Sequence, residues 1–233
     1  MATLENMERM ECPESGAAPP TFDGQSIRSP DVDETVRRGG RSRLTDQKDI
    51  NVDSPATPTM EETAAFATEM HTGQLDKAGE EYIGHPLRVQ ATVERTASAA
   101  GVDPVHAQFA ALLHDVVEDT PVTLEELETL GYPPRVVAAV DALTKRPGEA
   151  TKAYLARVAA NPLAVVVKRA DMADNSDPVR LGRLPAEQAD QLATRYAGRK
   201  ALLDDLVVAA AASVSSVDEE PAASVDGEPR PAE

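Results

Sequence analysis

The chain has 233 residues and a formal net charge of −17, which argues against the basic surfaces that bind nucleic acids and anionic membranes. It has no Trp and only 3% aromatic residues, so an open base-stacking platform is excluded as well. The single cysteine, Cys12, permits neither an internal disulfide nor a cysteine-based metal cluster, which fits a reducing compartment.

Residues 1–57 are rich in Pro, Ser, Gly, Asp and Arg, with no sustained apolar period. Such a composition buries too little surface to offset the entropy of ordering, so a disordered N-terminal tail is expected. Arg37, Arg38, Arg41 and Arg43 make a small basic cluster inside it, read as a solvated segment rather than a docking arm. Residues 213–233 are expected to form a second, acidic, disordered tail. No basic segment followed by an apolar one opens the chain, so no secretory signal is expected. The longest apolar run, Leu206 to Ala212, falls far short of the roughly 20 residues that span a bilayer. A cytoplasmic protein is the expectation.

Between the tails, residues 58–212 read as helices punctuated by Pro and Gly. Thr59 with Glu62 is a capping-box pattern that opens a helix through Met70 and closes it near Gly73. A loop runs from Asp76 to Gly84, and Pro86 then stands where a first helical residue belongs. Asp103-Pro104 opens a mostly apolar central helix expected to continue to Asp119, where Pro121 stops it. Thr123 with Glu126 caps a short helix ending at Gly131, and Pro133-Pro134 opens the next. Further helices are predicted over 149–160 and 162–175, and a last one over about 185–212. Val165-Val166-Val167 is too short and isolated to build a sheet. The expected fold class is all-α, a single helical bundle.

The chemistry concentrates at the end of the central helix, in Leu113-His-Asp-Val-Val-Glu-Asp-Thr120. At 3.6 residues per turn, His114 lies one turn below Glu118, and Asp115 one turn below Asp119. Three crowded carboxylates repel one another and lose hydration, costs that a cation among them would offset. A solvated acidic helix end is the competing reading of this stretch alone. His85, in Tyr82-Ile-Gly-His-Pro86, fits a capping or surface histidine better than a ligand when read by itself. Asp171 sits a turn above Lys168, with which a salt bridge is an equal alternative to a functional role. Together, His85, His114, Asp115 and Asp171 could bring two imidazoles and two carboxylates to one metal inside the bundle. Mixed nitrogen and oxygen donors suit Mn, Fe or Zn better than Mg or Ca.

These residues resemble the HD-domain phosphohydrolases, in particular the (p)ppGpp hydrolase domain of the Rel/Spo family and its small stand-alone relatives. The resemblance spans about residues 60–180. It rests on His71-Thr-Gly-Gln74, Lys77-Ala-Gly79, Tyr82-Ile-Gly-His-Pro86, Leu113 to Thr120, and Lys168-Arg-Ala-Asp171 with Asn175. It implies an HD-type bundle with His85, His114, Asp115 and Asp171 as ligands of a metal, usually Mn. It further implies that Glu118 and Asp119 handle the nucleophilic water and the leaving group. Lys77, Tyr82 and Asn175 match positions that line the nucleotide pocket, and Lys168 is a candidate phosphate partner. The implied reaction is release of pyrophosphate from the 3′ position of a guanosine penta- or tetraphosphate.

Two departures bear on the substrate. The family usually has Arg-Lys where this chain has Asp76-Lys77, and that arginine packs on the guanine; Asp76 cannot make the cation–π contact. Weaker grip on guanine is therefore expected, relieved by Asp76→Arg. The usual Arg-Leu-His-Asn is here Met172-Ala-Asp-Asn175. The alternatives are an HD hydrolase of another nucleotide or small phosphate ester, and a catalytically silent domain that binds nucleotide or a partner protein.

Overall fold

The computed structural model describes residues 56–215. The expected N-terminal tail with its arginine cluster, and nearly all of the expected C-terminal tail, lie outside the described residues. Those described form α1 (Met60–Met70), α2 (Gly84–Thr96), α3 (Pro104–Leu113), α4 (Val116–Asp119), α5 (Leu124–Thr129), α6 (Pro134–Leu143), α7 (Thr151–Ala159), α8 (Pro162–Asn175), α9 (Pro178–Leu181) and α10 (Ala186–Ser215). The only extended pairing among them is a single antiparallel bridge between Leu75 and Glu81. The all-α fold class is borne out. None of these helices is long and apolar enough to cross a membrane.

Local sequence accounts for most helix starts. Both predicted capping boxes form, Thr59 with Glu62 and Thr123 with Glu126. Asp103 and Asn161 accept the backbone amides of His106 and Ala164, each followed by a proline at the first helical position. Gly131, at φ +88°, reverses the chain after α5, a backbone conformation in which a Cβ would be strained.

The hub is α3, which packs against α1, α2, α6 and α8. Ala107, Ala110 and Ala111 let those neighbours approach, while Phe109, Leu112 and Leu113 fill the space between them. Burying Leu112 and Leu113 contributes about 1.5–3 kcal/mol each. The last helix, α10, covers α7 and α8, with Leu203 fully buried.

Three expectations change. The central helix is not continuous: α3 ends at Leu113 and α4 begins at Val116. His114 Nδ1 donates to the carbonyl of Ala111 at 2.7 Å, the acceptor that the amide of Asp115 would use in an unbroken helix. Pro86 does not open α2, which begins two residues earlier at Gly84. The amide of His85 already bonds the Tyr82 carbonyl at 2.8 Å, so the chain is turning before the proline. The short helix α9 was not anticipated; Asp177 caps it by accepting the amides of Val179 and Arg180.

Candidate metal centre

The first turn of α2, the α3–α4 break and the middle of α8 converge at one buried point. His85 and His114 are 3% and 1% exposed, and Asp171 is 4% exposed. His85 Nε2 lies 3.1 Å from Asp171 Oδ1 and 3.8 Å from Asp115 Oδ2. His114 Nε2 lies 2.8 Å from Asp115 Oδ2 and 4.0 Å from Asp171 Oδ1. The two imidazoles meet edge to face, with ring centroids 5.2 Å apart. Donor atoms of His85, His114 and Asp171 all fall within 4.8 Å of one another, the spacing of a shared ion. The four residues expected at the metal are thus brought together.

The donor set fits a divalent cation for a further reason. With Nδ1 of His114 donating to Ala111, Nε2 carries the lone pair whenever the ring is neutral. That nitrogen is buried and has no hydrogen-bond partner, although it approaches Asp115 to 2.8 Å. With the ring neutral, lone pair faces lone pair there, a conflict that a proton or a shared cation relieves. His85 is arranged likewise: Nδ1 meets Asp174 Oδ2 at 2.7 Å, leaving Nε2 toward the cluster.

The electrostatics follow the same crowding. Burial lowers the basicity of His85, but hydrogen bonds to Asp171 and Asp174 and the charges of Asp171 and Asp115 outweigh it and raise the ring to about 9. Burial opposes ionisation of Asp171, yet the Lys168 ammonium and His85 hold its carboxyl well below the usual range. Asp119 and Glu118 behave differently. Both are exposed, yet the surrounding protein strips enough hydration to raise both, with the charge of Asp115 adding to the effect. Asp119, which also faces Glu118, reaches about 7. A carboxyl near neutrality can both give and take a proton. Glu118 is held in place by the amide of Lys145, donated to Oε2 at 2.7 Å from the α6–α7 connection.

The residues expected at the nucleotide sit mostly on the carboxylates of Asp115 and Asp171. Tyr82 donates its hydroxyl to Asp115 Oδ2 at 2.5 Å, and Asn175 Nδ2 donates to Asp171 Oδ1 at 2.5 Å. Lys168 pairs with Asp171 Oδ2 at 2.7 Å and lies 5.3 Å from the centre of the Tyr154 ring. Lys77 is exposed in the loop between α1 and α2. Asp76, in the same loop, points at Arg180 instead of a pocket, with Nη2 donating to Oδ2 at 2.7 Å. Sequence reasoning missed Asp174 as a partner of His85, together with Arg88 and Arg180, which also bind it. Spacing could have found the first two: Arg88 is one turn after His85, and Asp174 one turn after Asp171. No local signal points to Arg180.

Comparison with known proteins agrees with this geometry. Residues 82–176 match the HD domain family. The match covers 95 of the 233 residues, and over that segment the chain is similar to an HD domain. The resemblance seen in the motifs is upheld by three relatives. A GTP pyrophosphokinase of Streptomyces coelicolor is 33% identical over 147 residues, 59% of this chain and 17% of that protein. The guanosine-3′,5′-bis(diphosphate) 3′-pyrophosphohydrolase MESH1 of Danio rerio is 40% identical over 77 residues, 32% of this chain and 41% of that one. A guanosine-3′,5′-bis(diphosphate) 3′-pyrophosphohydrolase of Aquifex aeolicus is 34% identical over 118 residues, 47% of this chain and 16% of the relative. The matched region is thus less than half the length of each relative. A solved structure described as a metazoan ortholog of SpoT that hydrolyzes ppGpp matches with 25% identity and a TM-score of 0.48, over 65% of this chain and 96% of that one. HD domains bind divalent metals, and the cluster of His85, His114 and Asp171 offers donors for one.

Proposed function

We propose that the HD domain is a metal-dependent phosphohydrolase that removes the 3′-pyrophosphate of guanosine penta- or tetraphosphate. The observation that carries the reading is the convergence of His85, His114, Asp115 and Asp171 from three segments, with Glu118 and Asp119 beside them. Relatives from Danio and Aquifex bearing the name of that activity support the substrate.

His85, His114, Asp115 and Asp171 would hold the metal, with Mn preferred and Fe or Zn as the alternatives for this donor set. When bound, the metal would polarise a phosphoryl oxygen and acidify its bound water. Tyr82 and Asn175 keep Asp115 and Asp171 turned inward by donating to them. Glu118 and Asp119 would take the proton of the attacking water and return one to the 3′ oxygen as the phosphate ester bond breaks and pyrophosphate leaves. Such proton transfer contributes about 10²–10⁴ in rate. Lys77 stands on the loop that leads into Tyr82, where an ammonium would meet the anionic substrate. The catalytic unit in this reading is residues 58–212.

A second reading, another nucleotide or a small phosphate ester, is favoured by Asp76. Its carboxylate is committed to Arg180 and offers nothing to a guanine face. A phosphate- and pyrophosphate-release screen of Mn-loaded protein against guanine and non-guanine nucleotides, ppGpp included, tests both. Pyrophosphate from ppGpp alone supports the first reading; turnover of other substrates with ppGpp inert supports the second. No release from any substrate by metal-loaded protein overturns both.

A further inference from the structure

Asp174 stands where the family resemblance calls for a histidine, and it is the most heavily engaged carboxylate beside the metal centre. Its Oδ2 meets His85 Nδ1 at 2.7 Å and accepts from Arg180 Nη1 and from Arg88 Nη2 at 3.2 Å. Its Oδ1 accepts from Arg88 Nε at 2.8 Å. Burial opposes its ionisation, but these donors hold the carboxyl at about 2. Arg180 turns its other nitrogen, Nη2, to Asp76 Oδ2 at 2.7 Å. Asp76 Oδ1 in turn accepts the amides of Ala78 at 2.8 Å and Glu80 at 3.0 Å, closing the turn that contains Lys77. The pairs are shielded: the side chains of Asp76, Asp174 and Arg180 are 7%, 10% and 19% exposed.

We propose that Asp174 is the positioning residue for the His85 ligand, and that Arg180 and Asp76 couple that ligand to the loop between α1 and α2. Asp174 accepts the Nδ1 proton and so fixes the tautomer that aims the Nε2 lone pair at Asp115 and Asp171. Arg180 is shared between Asp174 and the loop, so order in the loop and orientation of His85 support each other. The two departures from the family pattern, Asp76 and Asp174, are thus one device joined by one arginine. The coupling rests on the metal-site reading above.

The test is calorimetric titration of Mn²⁺ and of Zn²⁺ into the full chain, with folding monitored by circular dichroism. Asp174→Ala should weaken metal binding about 10–100-fold, the usual cost of losing such a partner. Asp174→Asn, which can still accept from Nδ1 but lacks the charge, should lose less. Asp76→Asn keeps the turn but weakens the ion pair, and should lower metal affinity a few-fold while making the Lys77 loop more sensitive to protease. Arg183→Ala, which removes only the exposed pair with Glu80, should leave metal affinity unchanged. Wild-type affinity in folded Asp174→Ala overturns the positioning role; if that variant does not fold, wild-type affinity in Asp174→Asn overturns it. Wild-type affinity and protease resistance in Asp76→Asn overturn the coupling. A wild-type chain that binds neither ion removes the metal-site reading itself, and the coupling with it.

Discussion

Asp76 Oδ2 and Arg180 Nη2 are 2.7 Å apart, although 104 residues of chain separate them. That pair reverses the expectation for Asp76→Arg. An arginine at position 76 would face Arg180, set two cations together with Asp174 as the carboxylate left to Arg180, and lose the acceptor for the Ala78 and Glu80 amides. Breaking a shielded ion pair by removing one partner costs about 3–5 kcal/mol. Asp76→Arg should therefore lower stability by roughly 3 kcal/mol in urea unfolding and bring no fall in KM for ppGpp. A lower KM at wild-type stability would show that the side chain at position 76 reaches the substrate.

Lys168 tests whether a cation beside the site serves the protein or the phosphate. It pairs with Asp171 and lies against Tyr154, so Lys168→Ala leaves the buried carboxylate with less compensation. Stability should drop by about 3 kcal/mol. Added Mn²⁺ should restore part of that loss, because the ion neutralises the same carboxylate. Thermal unfolding with and without the metal reads this out. Unchanged stability with a raised KM would make Lys168 a substrate contact.

Substitution separates the proposed metal ligands from the proposed proton-transfer pair. His114→Ala removes a buried donor and should lose both metal and turnover. Glu118→Gln keeps the shape, and can still accept the Lys145 amide, but cannot take a proton. It should retain the metal and lose about two orders of magnitude or more in kcat. Elemental analysis beside turnover decides. A metal-free Glu118→Gln would make Glu118 a ligand, and a fully loaded, active His114→Ala would remove the centre from the reaction.

Acid sensitivity has a specific contributor away from the centre. Arg157 forks onto Glu149, with Nε at 2.9 Å and Nη2 at 2.7 Å, and also donates to the carbonyls of Asp141 and Thr144 at 2.8 Å each. The hydrogen bonds from Arg157 pull the Glu149 carboxyl from 4.5 to about 2 against the opposing effect of burial. A depressed folded value means the unfolded chain takes the proton first. The contribution is complete above about 4.5 and is lost as pH falls toward 2. Glu149→Gln should cost about 1 kcal/mol at pH 7, allowing for solvent screening, and should flatten the stability profile between those limits. Urea midpoints across the range check it; parallel profiles for both proteins would show that Glu149 does not carry the acid limb.

The sequence by itself determined the helical class and most helix starts, and it picked out the four residues that converge, His85, His114, Asp115 and Asp171. Those features are local: a capping box, an Asp-Pro or Asn-Pro start, or His114-Asp115 followed by Glu118-Asp119 is written in adjacent residues. What it could not show was where each charge is spent. The break at His114 arises because one side chain takes the carbonyl that the next amide needs, a competition that helical periodicity does not register. The partners of Asp76 and Asp174 were decided only when α2, α8 and α9 met. Asp76 and Asp174 read as departures from a pattern until Arg180, from a four-residue helix opened by Asp177-Pro178, joined them. A buried charge is read by its partner, and the partner is chosen by the tertiary packing.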